Sequence, residues 1–205
     1  MFVPLGQPLD LPNTLESGQS FRWRRENPSR PGKGQWFYGI VFNQVVKIRQ
    51  NSRGIEFFCG PADEPTHKPL LLAYLRLDDD LESIYHCINV DSCIDAAITR
   101  YQGMRILRQE PWECLVSFIC SSNSNIPRIS ANVEDMSRCF GRPVRLGDHL
   151  RYTFPTPQDL AEAGAQRLRQ LGLGFHAKYV AAVAKLIADG ALDLLALREA
   201  PYEEA

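Results

Sequence analysis

Gln35-Trp36-Phe37-Tyr38-Gly39-Ile40-Val41 and Val45-Val46-Lys47-Ile48-Arg49, flanking Asn43-Gln44, decide the fold of the first half of this chain. Two runs rich in β-branched and aromatic residues around a short polar link read as a β-hairpin. Upstream, Phe21-Arg22-Trp23-Arg24 alternates aromatic and arginine with period two, which places the arginines on a solvated strand face. Asn27-Pro28-Ser29-Arg30-Pro31-Gly32-Lys33-Gly34 is turn-rich, and Ile55-Glu56-Phe57-Phe58 is a further strand candidate. Consecutive short strands of this kind predict an antiparallel sheet.

From about Pro69 the period becomes helical. Asp78-Asp79-Asp80 reads as an acidic first turn ahead of Leu81, Ile84, Tyr85 and Ile88. A second helix runs from near Ser92 with Ile94, Ala97, Ile98 and Tyr101, and Pro111 opens a third with a Trp112, Leu115, Val116, Ile119 stripe. Others begin near Pro127 and Pro157. Beyond Gly174, Tyr179, Ala182, Val183, Leu186 and Ile187 line one face, with Gly190 as a C-terminal stop. Ala200-Pro201-Tyr202-Glu203-Glu204 places proline and acids where a helix should start. It reads either as a frayed tail or as a helix cut short, and truncation is the expectation adopted.

At 205 residues, 44% hydrophobic and 23% charged, the composition is that of an ordinary globular protein. No stretch approaches the roughly 20 apolar residues of a membrane helix. Met1-Phe2-Val3-Pro4 lacks the basic start of a secretory signal, so an intracellular protein is expected. Cys59, Cys87, Cys93, Cys114, Cys120 and Cys139 include no Cys-x-x-Cys pair. No zinc site is expected, and reduced, buried thiols are. With 23 Lys and Arg against 24 Asp and Glu, whole-chain basicity is absent, so any nucleic-acid contact must come from a local surface.

Three segments hold residues suited to recognition. In Ser17-Gly18-Gln19-Ser20-Phe21-Arg22-Trp23, glycine leading into a strand permits close backbone approach, or is simply a turn before an edge strand. Cys120-Ser121-Ser122-Asn123-Ser124-Asn125-Ile126-Pro127-Arg128 offers Asn amides and an arginine to base edges, or is a helix–helix loop in which Asn125 caps the next helix. In Leu171-Gly172-Leu173-Gly174-Phe175-His176, two glycines before a helix suit a phosphate, and Phe175 is either a wedge between base steps or a core residue. His67, His86, His149 and His176 form no triad pattern with serine or cysteine. Lys178 and Lys185 read as solvated or phosphate-facing, unlike a buried Schiff-base amine.

In this order, and with Leu107-Arg108-Gln109-Glu110-Pro111-Trp112-Glu113-Cys114 between them, these segments resemble the hallmarks of 8-oxoguanine DNA glycosylases across essentially the whole chain. The resemblance implies an α+β protein. A TATA-binding-protein-like antiparallel sheet domain would span residues 1–102, and the first part of a helix-hairpin-helix glycosylase domain residues 103–205. It implies base-excision repair of double-stranded DNA carrying 8-oxoguanine opposite cytosine, by a monomer with no cofactor or metal. Gly18 would offer its carbonyl to the N7 hydrogen that the lesion has and guanine lacks. Asn123 would fill the space left by the extruded base and, with Arg128 and His176, meet the unpaired cytosine, while Phe175 intercalates. Ser124 stands where the family often has asparagine, Phe175 where tyrosine is common, and His176 where arginine is common; the last implies a weaker or pH-dependent preference for cytosine. The nucleophilic lysine and its aspartate are expected after Ala205, so no catalytic residue is assigned within the chain. The rival expectations are a glycosylase for alkylated bases and a non-catalytic damaged-DNA-binding protein.

Overall fold

The structure, a computed structural model, describes residues 1–26 and 34–201. Most of the turn-rich stretch expected at Asn27–Gly34, and Tyr202-Glu203-Glu204 of the tail, lie outside the described residues. The chain divides into two units, Met1–Arg108 with Arg145–His149, and Gln109–Val144 with Leu150–Ala205.

The first unit is built on the expected antiparallel sheet. Its elements are β1 (Phe2–Pro4), α1 (Leu11–Glu16), β2 (Arg24–Arg25), β3 (Phe37–Val41), β4 (Gln44–Asn51), β5 (Gly54–Gly60), α2 (Glu64–Tyr74), α3 (Leu81–Ile88) and α4 (Ser92–Arg100). The strand order is β1-β5-β4-β3-β2, antiparallel throughout. Register aligns Phe37, Ile48 and Phe57 across three strands, all buried, while their neighbours Tyr38, Lys47 and Phe58 align on the other face. On the core side pack Leu11 and Leu15 of α1 and Leu71 and Tyr74 of α2. Trp36 lies on the outer side, with the Lys47 ammonium 5.1 Å and the Arg49 guanidinium 4.5 Å from its ring centre.

The hairpin turn sits one residue earlier than the sequence suggests. Val41 pairs with Gln44, so Phe42 and Asn43 form the link, at φ 45° and 63°. A two-residue link that matches strand twist needs both residues in the left-handed region, and the sheet register imposes this even on a phenylalanine.

The alternation at Phe21-Arg22-Trp23-Arg24 misleads. Among these residues only Arg24 pairs as strand, and Arg22 is 1% exposed rather than solvated. Trp23 lies across β3, where a Cβ on Gly39 would stand 2.7 Å from its ring, and its Nε1 donates to Tyr74 Oη at 2.9 Å. Arg24 folds back, Nη1 donating to the Phe21 and Trp23 carbonyls, both at 2.8 Å.

Asp80 caps α3, its carboxylate accepting from Ser83 N at 3.1 Å, so Asp78 and Asp79 precede the helix instead of forming its first turn. Both pair with Arg108, which holds the Asp78 carboxyl below its usual range. The stripes expected on α3 and α4 turn inward only in part: Leu81 is buried and Tyr85, Ile94 and Ile98 are half-buried, whereas Ile84, Ile88, Ala97 and Tyr101 are exposed.

A side-chain network closes the unit. Gln19 Nε2 donates to Arg105 O at 2.8 Å and Thr14 O at 3.3 Å, and Gln19 Oε1 accepts from Leu107 N at 2.8 Å. Arg105 is buried, its guanidinium donating to the carbonyls of Arg76 (2.7 Å), Pro8 (3.0 Å) and Asp79 (3.2 Å).

The second unit is mainly helical: α5 (Pro111–Ser121), α6 (Ile126–Phe140), a hairpin of β6 (Pro143–Leu146) and β7 (His149–Tyr152), α7 (Pro157–Leu168), a wide π turn (Arg169–Leu173), α8 (His176–Ala188) and α9 (Leu194–Glu199). The hairpin was not foreseen, although Gly147-Asp148 between two short alternating runs is its signal. Its tip belongs to the first unit, where His149 stacks on Tyr38 at 4.9 Å.

Prolines open α5, α6 and α7 as expected, and Thr156 with Asp159 completes a capping box on α7. On α5 the buried stripe is Trp112, Val116 and Cys120. On α8 the buried face is His176, Ala177, Val180 and Ala184, whereas Tyr179 and Leu186 are about half exposed. The expected face is thus rotated, because small alanines allow close helix approach where bulky residues do not. Gly190, at φ 73°, follows the end of α8 as expected.

All six cysteines are free thiols, but Cys87, Cys93, Cys114 and Cys139 are exposed, contrary to expectation. Cys59 and Cys120 are buried, and burial pushes both thiols up to about 11.

Two outcomes follow for stability. Gln19→Ala leaves the Leu107 N–H and Arg105 C=O without that amide, and should cost about 2–3 kcal/mol in urea unfolding; a change within about 0.5 kcal/mol would remove the network from this role. His67 is 1% exposed, and burial lowers its imidazole from the ordinary value. Its contribution is therefore complete above about pH 6.5 and is lost as pH falls further, since the unfolded chain takes the proton more readily. Melting temperatures measured across this range should fall on acidification, and His67→Leu should flatten the fall.

Candidate functional site

In the first unit, Gly18 lies in the bend after α1, not at the start of a strand. Its φ of 86° is in the left-handed region that glycine adopts without a Cβ clash. The bend is anchored on both sides. Ser17 Oγ donates to Thr14 O at 3.2 Å, and the Gln19 amide holds the next residue to Arg105 and Leu107. A short polar bend thus keeps one backbone conformation without a regular element around it.

In the second unit, the loop after α5 and the turn before α8 are brought together. Asn125 caps α6, its Oδ1 accepting from Arg128 N at 3.0 Å, as the loop reading expects. Asn123 is exposed, with φ 50°. Asparagine tolerates this conformation better than most residues, and it turns the chain back within the loop. Arg128, in the first turn of α6, is exposed, and its Nη2 reaches Gly172 O at 3.4 Å.

The second loop owes its shape to two glycines, Gly172 at φ 90° and Gly174 at φ 59°. They throw Phe175 outward, 47% exposed at the start of α8, so it is a tip residue and not a core one. Its ring centre lies 4.0 Å from that of His176.

His176 is placed differently from the expectation of a base-contacting side chain. It is 4% exposed, with Nδ1 3.0 Å from Leu173 O and Nε2 2.7 Å from Ser122 O. Both ring nitrogens are engaged by backbone carbonyls. The sequence holds no signal for this, because Ser122 is 54 residues away.

Arg169, at the start of the π turn, and Lys178, in the first turn of α8, are exposed, as is Arg128. These exposed cations lie on the segments flanking Asn123 and Phe175, in a chain of formal net charge −1. Exposed cations of this kind attract phosphate locally, whatever the whole-chain charge. Lys178 and Lys185 are both exposed, so neither has the desolvated setting of a Schiff-base lysine. Taken alone, the second unit presents an apolar ring and an amide on neighbouring loops, with a guanidinium at the head of α6 and further exposed cations, a set able to enter a duplex and meet a base edge.

Residues 3–115 match the family described as 8-oxoguanine DNA glycosylase, N-terminal domain, and residues 116–203 match the HhH-GPD superfamily base excision DNA repair protein. The N-glycosylase/DNA lyase of Saccharomyces cerevisiae is 37% identical over 198 residues, covering 89% of this chain and 51% of that protein. A solved structure of MBOgg1 in complex with a low affinity DNA ligand superposes with a TM-score of 0.88 at 30% identity, over 99% of this chain and 68% of that one. The apo form of Clostridium acetobutylicum 8-oxoguanine glycosylase/lyase gives 0.86 at 26% identity, over 98% and 70%. The chain spans about half the length of the curated relatives from Saccharomyces cerevisiae and Arabidopsis thaliana. With residues 3–115 of its 205 matched by the first of these families, the chain belongs to the 8-oxoguanine DNA glycosylase family.

Proposed function

We propose that this chain supplies the lesion-reading and duplex-opening surfaces of an 8-oxoguanine DNA N-glycosylase with apurinic-site lyase activity, acting as a monomer on DNA inside the cell. The observation that carries the reading is the pair of loops in the second unit. There Phe175 is thrown outward by Gly172 and Gly174, while Asn123 stands on the neighbouring loop and Arg128 in the first turn of α6 that follows it, linked to the Phe175 turn through Ser122 O and Gly172 O.

In this proposal Phe175 enters the stack and holds the kinked duplex open. Asn123 takes the place of the extruded nucleotide, and the Arg128 guanidinium donates to acceptors on the estranged cytosine. Extrusion costs a few kcal/mol, which these contacts partly offset. Gly18 then reads the base through its backbone carbonyl. 8-Oxoguanine presents an N7–H donor there, whereas guanine presents a lone pair, so the normal base leaves two acceptors facing each other. A backbone carbonyl in an anchored bend suits this task because it has no rotamer freedom with which to avoid the wrong base. The nucleophilic amine that attacks the sugar C1′ is not assigned to any lysine of this surface.

Borohydride trapping on duplexes with 8-oxoguanine opposite cytosine tests the reading. The protein from the complete reading frame encoding this chain should form a covalent adduct, and residues 1–205 alone should not. Phe175→Ala should lower adduct formation about 5- to 150-fold, in line with losing a stacking contact of roughly 1–3 kcal/mol. No adduct from the complete protein would overturn the lyase reading, and an adduct from residues 1–205 would overturn the recognition-only assignment. Equal or greater excision of alkylated bases would overturn the lesion class.

A further inference from the structure

His176 is the buried polar side chain that ties the two loops together. Its Nε2 lies 2.7 Å from the carbonyl oxygen of Ser122, the residue before Asn123. Its Nδ1 lies 3.0 Å from the carbonyl oxygen of Leu173, two residues before Phe175. The Phe175 ring rests against the imidazole at 4.0 Å between centres. Carbonyl oxygens only accept: a neutral ring donates to one of them through either tautomer, and a doubly protonated ring to both. At 4% exposure the ring has little surface left for a ligand.

We infer that His176 is a positioning residue, a clamp that fixes the Asn123 loop against Phe175 so that the two move into DNA as one body, rather than a direct contact to the base opposite the lesion. The inference rests on the proposed reading for its consequence in DNA, but the clamp itself is a property of the free protein. The contact to Leu173 is local, three residues back along the chain. The contact to Ser122 joins segments 54 residues apart, and it is the one that couples the loops. Opposite-base discrimination then falls to Arg128, which is exposed and tied to the same assembly through Gly172 O at 3.4 Å. A clamp set by backbone carbonyls is indifferent to which base stands across the gap. Loss of it should weaken binding to every opposite base alike.

Two isosteric substitutions separate the ring nitrogens. The Gln amide nitrogen replaces Nε2 and the Asn amide nitrogen replaces Nδ1. In the full chain, His176→Asn should raise amide hydrogen exchange across residues 122–125, while His176→Gln should keep it near the parent rate. Affinity for duplexes bearing an abasic-site analogue opposite each of the four bases should fall about 3–10-fold in His176→Asn, equally for all four, and recover in His176→Gln. Identical behaviour of the two variants in exchange, or a loss confined to cytosine, would overturn the clamp. Phe175→Ala serves as the separate control. If it leaves duplex affinity unchanged the DNA reading fails, while the exchange result still decides the clamp.

Discussion

The amide of Gln19 holds together parts of the first unit that no regular element connects. One side chain donates to the carbonyls of Thr14 and Arg105 and accepts from the backbone of Leu107, spanning 86 and 88 residues of sequence in the last two. It acts as a short piece of strand made from a side chain. The buried guanidinium of Arg105 depends on the same arrangement. Burial disfavours its charge, and the carbonyls of Pro8, Arg76 and Asp79 offset that cost by accepting its hydrogens. Gly18 is held in its left-handed conformation between these fixed points. The backbone proposed to discriminate one oxidised base is thus anchored through the hydrogen bonds of its neighbours, not through a helix or a strand.

Much of the fold was legible where pattern and burial coincide. The Phe37–Asn51 hairpin and the proline-opened helices follow from local chemistry, and the structure keeps them. What failed did so for tertiary reasons. Arg22 looks solvated by alternation, but the sequence around it does not form a strand, and it is buried. Tyr179 and Leu186 have helical spacing on α8, yet the face packed inward is the smaller one through Ala177, Val180 and Ala184. Periodicity reports that a stripe exists; it does not say which of two stripes a neighbouring helix covers.

The candidate site divides in the same way. The left-handed turns at Gly172 and Gly174 are readable from residue type, and the order of the three segments carries the family resemblance. The burial of His176 is not readable. A histidine at the head of a helix after an aromatic residue has the same local signature whether it points to solvent or to a carbonyl on another loop. Its partner at Ser122 is set by how α5 and α8 pack, which no short window contains.

The order of strands in the sheet also bears on how the molecule behaves in a crowded solution. The long strands β3, β4 and β5 lie in the middle, and the margins are β1, three residues ending in Pro4, and β2, the two arginines Arg24 and Arg25. A proline has no N–H to offer another chain, and at the other margin only two residues pair, with Arg25 held by Glu16 and Arg24 folded back onto the Phe21 and Trp23 carbonyls. The sheet therefore gives a second molecule little on which to extend it, and fibril-like self-association through its rims is disfavoured by the same few residues that close it.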